Sequence, residues 1–412
     1  MSYAQRRDIE QTLILVMLTL TAVVAQPVAA EDPVSLGAAV TKGKISLNLR
    51  YRYEGVDQDG IDDQGRASTL RTTLAYRTLF WKGLSAYAEF EDVRNLALSN
   101  EHNNLGAGTL WNGVTDRPVI ADPALTEINQ AYLDWKPIDS LLIRGGRQEI
   151  IVDNSRFIGN VGWRQNHQSF DAATVRFQGA KNLDLGLAYI TRQRAVTGAS
   201  RPMSTGHLEG TYTFDAVGKL RAYYLSIDFD QEALWELSTQ TLGASFAGTA
   251  KLSDSLGLTY RLEFATQRDT GKNPENVDAD YLMAEAGLKV SKVTIGAGYE
   301  VLGGGTGGGF NTPLATLHKF NGWADKFLAT PADGIRDAFL SVGTGVGRWN
   351  LLGVYHDFSA DAGGASWGDE IDAQVLYTAP WKQIFGLKYA SYRADEWLTD
   401  TDKIWFWTQW GF

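Results

Sequence analysis

The sequence predicts an all-β fold: a transmembrane antiparallel up-and-down β-barrel of about eighteen strands. Three observations predict it. Apolar and polar residues alternate with period two over segments of about ten residues, the length a tilted spanning strand needs. The connections between these segments are alternately short and long. Aromatic residues are abundant, with 13 Trp, 17 Tyr and 17 Phe, whereas there are only 10 Pro.

The first thirty residues differ from the rest. Arg6 and Arg7 precede an apolar run from Leu13 to Ala25, and Val28-Ala29-Ala30 supplies the small residues that a signal peptidase reads. A signal peptide over residues 1–30 and a barrel over 31–412 are therefore expected. The run is shorter than the roughly 20 apolar residues of a spanning helix. The chain contains no cysteine, so disulfides, thiol nucleophiles and cysteine metal sites are excluded.

The first strand shows the pattern most clearly. Ile45, Leu47, Leu49, Tyr51 and Tyr53 alternate with Ser46, Asn48, Arg50, Arg52 and Glu54, so one face suits lipid and the other suits water. The same rhythm recurs at Leu70 to Arg77 and at Leu258 to Phe264. Taken in order, the expected strands lie near 44–54, 68–78, 83–94, 126–136, 140–150, 170–179, 182–193, 207–215 and 219–229. They continue near 239–250, 255–266, 279–290, 292–302, 335–345, 348–358, 368–378, 383–393 and 402–412. The last closes on Ile404, Phe406, Thr408, Trp410 and Phe412, an aromatic ending like that of bacterial outer-membrane proteins. Short connections such as Lys181, Ser291 and Val346-Gly347 take turns with the long segments 95–125, 151–169 and 303–334, as brief periplasmic turns and extended outer loops require. The aromatic excess reads as girdles at the two membrane interfaces.

With the outward faces so assigned, the inward faces collect Arg50, Arg52, Arg71, Arg77, Arg144, Arg176, Arg192, Arg261 and Lys388. Glu89, Glu91, Asp134, Glu263, Glu300 and Asp372 stand against them. Guanidinium stays charged and matches carboxylates in a bidentate manner, so an arginine-lined lumen provides a path for anions. Any water-filled barrel also needs a polar inner wall, so plain lining and intrabarrel ion pairs remain open for each residue. The formal net charge of −10 does not decide the matter, because acidic residues such as Asp57, Asp59, Asp62 and Asp63 fall at loops.

Two stretches stand out. Arg144-Gly145-Gly146-Arg147-Gln148 ends the fifth strand; Arg156-Phe157-Ile158-Gly159, Trp163-Arg164-Gln165-Asn166 and Phe170-Asp171 follow. Later comes His318-Lys319-Phe320-Asn321-Gly322-Trp323-Ala324-Asp325-Lys326-Phe327. In these motifs the chain resembles the alginate export family of outer-membrane porins. The resemblance implies an eighteen-stranded barrel with an arginine-rich constriction, to which Arg144, Arg147, Arg156, Arg164 and Asp171 are the matching positions. Alginate exporters are longer and carry a plugging periplasmic loop, whereas every periplasmic turn here is short.

The expected function is a channel for anionic solutes, with carboxylated (uronate) saccharides as one class. A general or small-metabolite diffusion porin and an adhesin-type barrel are the alternatives. An enzyme is disfavoured because His102, His167, His207, His318 and His356 are scattered without a catalytic pairing. No cofactor, metal or nucleic acid is expected. Outer-membrane lipid, lipopolysaccharide and an anionic solute are the expected partners, and a monomer is allowed.

Overall fold

The computed structural model describes residues 35–412 other than residue 306. The expected signal segment lies outside the described residues. A short helix, α1 (Leu36–Thr41), precedes the sheet; the Ser35 hydroxyl caps it by accepting from the Ala38 amide.

Eighteen strands follow: β1 (Lys44–Gln58), β2 (Gly65–Arg77), β3 (Leu84–Glu101), β4 (Leu125–Ile138), β5 (Leu141–Gln148), β6 (Ser169–Ala180), β7 (Leu183–Arg194), β8 (Ser200–Phe214) and β9 (Gly218–Ile227). The second half comprises β10 (Thr239–Lys251), β11 (Leu256–Asp269), β12 (Asp278–Val290), β13 (Val293–Gly303), β14 (Gly334–Val346), β15 (Trp349–Ser359), β16 (Ser366–Thr378), β17 (Ile384–Ala394) and β18 (Thr401–Gly411). Each strand pairs antiparallel with its sequence neighbours, and β1 also pairs with β18, Asn48 opposite Gly411, so the sheet closes. Closure leaves no unpaired edge, which a strand-built membrane protein requires.

Alternation sets the two faces as expected. On β1, Ile45 is 66% exposed on the outer wall, whereas Arg50, Arg52 and Glu54 are buried inside. Of the nine loops at one rim, two are long and fold inward: L3 (149–168) and L7 (304–333). A third, L2 (102–124), packs over β1 and β2 through Ile120, which is buried against Val56 and Ala67.

Two strands run further than the alternation indicates. β8 begins at Ser200 rather than near 207, because Pro202, which cannot donate to the ladder, sits at a bulge opposite Arg192. β3 continues to Glu101 rather than ending near 94, through register shifts opposite Arg66 to Thr69 and a left-handed residue, Leu98. Each irregularity breaks the period-two signal.

The aromatic residues also divide differently from the expected girdles. Trp349, Phe406 and Trp410 are exposed on the outer wall and Trp381 on the β16–β17 turn, but Trp405 and Trp407 point inward and are buried. They join Phe157, Tyr281, Phe310, Phe327, Phe358 and Tyr392 in an apolar core inside the barrel. This core exists because L3 and L7 bring Ile150, Val152, Ile158 and Leu314 into the lumen. A filled lumen buries apolar faces that water would otherwise wet.

Candidate functional site

L3 and L7 form one insert. Ile158 and Leu314 make a parallel bridge; the Gly159 amide donates to the Leu314 carbonyl at 2.9 Å and the Thr316 amide to the Ser155 carbonyl at 3.0 Å. Arg156 crosses the lumen: its Nε lies 2.8 Å from Glu300 Oε1 on β13, its Nη1 donates to Thr312 at 3.3 Å and its Nη2 to Asn321 Oδ1 at 3.1 Å. The Asn321 amide in turn donates to Glu300 Oε2 at 2.8 Å. Gly322 is required at the next position. It has φ +82, and a Cβ there would stand 2.4 Å from Glu370 Oε2.

The insert is tied to the wall by charge. Arg50 donates to the carbonyls of Gly162 and Trp163, both at 3.0 Å. Arg52 pairs with Asp122 of L2 and with Glu54. Arg164 bridges Glu54 at 3.2 Å and Asp325 at 2.8 Å, and Lys403 reaches the same Asp325 at 3.0 Å. Buried charges of this kind persist only when paired. Here Arg50, Arg52, Arg164, Lys388 and Lys403 stand among the carboxylates Glu54, Asp122 and Asp325, and Glu370 and Asp372 accept from the backbone amides of Ala324 and Trp323 beside them.

His318 occupies the centre of this network. Its Nδ1 is 2.7 Å from Asp325 Oδ1, and the Lys388 ammonium lies 2.7 Å from its Nε2. An ammonium only donates, so Nε2 accepts, Nδ1 carries the proton and the ring is neutral. Burial pushes the His318 pKa down to about 3, with Asp325 opposing the shift and Lys388 adding to it. Trp163 stacks on the imidazole, ring centres 4.9 Å apart, and Lys388 lies over Trp163 and Trp323 at 4.3 and 3.7 Å.

Open space remains above and below the insert. At the long-loop rim a vestibule of about 460 Å³ has apolar walls that include Val56, Leu105, Val119, Val161, Leu328 and Leu398. Its charged lining comprises Arg164, Arg201, Asp325, Lys326 and Lys403. Among the described residues, Arg201 and Lys326 have no carboxylate at ion-pair distance; they are hydrogen-bonded to Gln193 and Thr401. Towards the short-turn rim, one cavity of about 280 Å³ is lined by Arg144, Arg176 and Glu209, and another of about 410 Å³ by Arg261 and Glu285.

The sequence-predicted residues therefore fall into four groups. Arg50, Arg52, Arg71, Arg156, Arg164 and Lys388 are buried where the insert meets the wall, and Arg261 is buried beside Glu263 and Asp153. Arg77 and Arg144 share Asp134 in the lower lumen at 3.1 and 2.6 Å, with the Arg144 guanidinium over Tyr132. Arg176, paired to Asp184, is 60% exposed there. Arg147, Asp171 and Arg192 do not face the lumen. Their registers set them on the outward rows, with Arg147 opposite Ala131 and Asp171, and Asp171 opposite Arg192. For Arg147 the physical reason is parity: it stands three residues beyond the inward Arg144 in a continuous register, so it takes the other face. For Arg192 a bulge between Ile190 and Arg192 turns the expected inward side chain outward.

Asp122, Arg201, Lys326 and Lys403 are missing from the sequence-based list. Lys403 was within reach, because it alternates with the outward Ile404. Arg201 precedes the expected start of β8. Glu89, Glu149 and His167 bring potential metal-ligand atoms within 4.8 Å of one another. The chain fills this gap itself: Asn129 Nδ2 lies 2.8 Å from both carboxylates and Arg71 Nη1 lies 2.8 Å from His167 Nε2.

The family model for alginate export matches residues 42–302. The chain belongs to the alginate export family. No curated protein matches it. Among solved structures, OpdK of Pseudomonas aeruginosa with vanillate superposes with a TM-score of 0.72 at 14% identity, covering 90% of this chain and 99% of that one. OccAB2 of Acinetobacter baumannii gives 0.70 at 18%, covering 91% and 99%. OccK8 (OprE) of Pseudomonas aeruginosa gives 0.71 at 16%, also covering 91% and 99%. Likeness at these identities establishes the shared barrel. As an alginate export family barrel, the protein is an outer-membrane channel in Gram-negative bacteria and not an enzyme.

Proposed function

We propose that this channel favours anionic solutes, with short carboxylated saccharides of the uronate type as its substrate class. The observation that supports this reading is the pair Arg201 and Lys326, which line the vestibule and, among the described residues, have no carboxylate at ion-pair distance. A solute carboxylate supplies what they lack. Below the insert Arg77, Arg144 and Arg176 continue the basic lining, with Arg77 and Arg144 sharing the single carboxylate of Asp134. Arg50, Arg52, Arg156 and Arg164 act on the path by holding the insert in place. Arg147, Asp171 and Arg192 lie outside it.

The vestibule falls within the roughly 300–1,000 Å³ range of small-molecule sites, and the L3–L7 insert divides the lumen, so short oligomers suit this barrel better than a long polymer. The apolar walls support a second reading, a carboxylate with an apolar body; OpdK was solved with vanillate. At the outer leaflet, lipopolysaccharide is the proposed lipid partner, with Asp59, Asp62 and Asp63 of the β1–β2 loop reaching it through divalent cations.

The test is single-channel recording in planar bilayers under a salt gradient, followed by addition of uronate oligomers, neutral oligomers of equal length, or an aromatic carboxylate. Anion selectivity with block by uronates alone supports the first reading, and block by the aromatic acid alone supports the second. Cation selectivity overturns both.

A further inference from the structure

The outer wall carries charges that the channel does not use. On β3 the outward row runs from Phe90 to Asp92 and Arg94; on β4 it ends at Ile128 and Thr126. Arg147 on β5, Asp171 on β6 and Arg192 on β7 complete a polar band across five adjacent strands near the long-loop rim. Arg94 Nε is 3.0 Å from Asp92 Oδ2, and its Nη2 donates to Thr126 at 2.9 Å. Asp171 holds two guanidiniums: Arg147 through Nε at 2.7 Å and Nη2 at 3.2 Å, and Arg192 through Nε at 3.5 Å. Arg147 Nη1 also donates to the Ile128 carbonyl at 3.2 Å, and Arg192 Nη1 to Ser200 at 2.9 Å.

Three guanidiniums against two carboxylates leave the band positive. The Arg94 side chain is 61% exposed and that of Arg192 is 40% exposed, so each has donor edges available beyond its internal partner. Charges on the lipid face of a membrane barrel are tolerated near the interface and disfavoured at the midplane. The band therefore belongs at the headgroup level of the leaflet facing the long loops. The sector on the other side of β2 differs in sign: Asp57, Asp357, Asp369 and Asp402 occupy the outward rows of β1, β15, β16 and β18, with Arg393 as the cation among them.

We propose that Arg94, Arg147 and Arg192 form a direct phosphate-binding site for the lipid A part of lipopolysaccharide on the outer wall of β3 to β7. This site rests on the outer-leaflet placement and is independent of what the lumen passes. Arginine edges fixed by carboxylates match phosphate oxygens without a bridging metal. Lipid bound here covers the band, while the acidic sector still requires divalent cations.

The experiment titrates the purified full-length barrel with bisphosphorylated lipid A, dephosphorylated lipid A or phosphatidylglycerol in the presence of EDTA, reading bound lipid by native mass spectrometry. The expected result is binding of bisphosphorylated lipid A in EDTA, at least tenfold weaker binding of the other two, and at least a tenfold loss in the double variant Arg94→Ala/Arg192→Ala. Arg147 is left in place so that Asp171 keeps a partner. Unchanged heat-modifiable gel mobility and single-channel conductance of the variant show an intact barrel; if the variant does not fold, Arg94→Gln/Arg192→Gln replaces it. Equal binding of phosphatidylglycerol, unchanged binding by the variant, or binding abolished by EDTA overturns the proposal. Ion selectivity, measured separately, reports on the channel reading alone.

Discussion

Arg156 of L3 and Glu300 of β13 meet 2.8 Å apart inside the barrel, with both side chains almost wholly buried. This pair fastens the third loop to the far wall, with Asn321 of L7 bonded to both partners. Removing one member of a buried pair typically costs about 3–5 kcal/mol because the other is left uncompensated. Arg156→Ala is expected to lower the temperature at which the folded barrel loses its compact gel mobility and to raise open-channel conductance. Arg156→Met paired with Glu300→Leu is expected to recover most of the thermal loss.

Gly322→Ala places a methyl group against the Glu370 carboxylate in a left-handed backbone conformation. The expected result is a loosened L7, read as faster proteolytic cleavage within 304–333, with the barrel strands still protected. Gly145→Ala is the control, since a Cβ there meets nothing within 4 Å.

His318 gives docking of L7 a definite pH dependence. A released loop carries a histidine of ordinary pKa near 6.5, whereas in the docked loop burial holds it at about 3. The released state thus binds more protons between these values. Docking is strongest above pH 6.5 and weakens by up to about 1.4 kcal/mol per pH unit as the pH falls towards 3. Conductance noise and L7 proteolysis are expected to rise on acidification, and His318→Gln is expected to flatten that rise.

Lys326 sets a second, alkaline dependence. Burial, with the nearby Lys403 charge adding to it, pushes its ammonium down to about 8, so it is charged below that pH and neutral above. Preference for anions, measured by reversal potential, is expected to fall between pH 7 and 9. Lys326→Arg is expected to retain the preference across that range, because a guanidinium does not titrate there.

Arg201→Ala is expected to weaken uronate block severalfold with little change in melting, since its side chain donates a long hydrogen bond to Gln193 at 3.4 Å. Concentration dependence of the block is the measurement. Lys403→Ala, by contrast, is expected to weaken both block and stability because it deprives buried Asp325 of a partner.

The barrel was legible because alternation is a local signal: Ile45 to Glu54 states its own two faces, and each strand repeats the statement. The anchoring role of Arg156 and Arg164 was not legible. Their partners Glu300, Glu54 and Asp325 lie more than a hundred residues away in the chain, and nothing local pairs them. The outward turn of Arg192 depends on a bulge, and an inserted residue reverses every assignment beyond it without altering composition. The inward Trp405 and Trp407 share a strand with the outward Phe406, so the same residue class served both core and lipid, and abundance alone could not divide it.

Asn48 faces Gly411, and the amide and carbonyl of Leu47 exchange hydrogen bonds with Phe412. Strands at opposite extremes of the chain become neighbours, so this ladder closes the longest loop in the molecule and is entropically the most demanding to form. Until it forms, both flanking strands expose unpaired backbone to the bilayer. Assembly in lipid should therefore have an all-or-none last step, in which shortening β18 leaves an open, protease-sensitive sheet rather than a smaller pore.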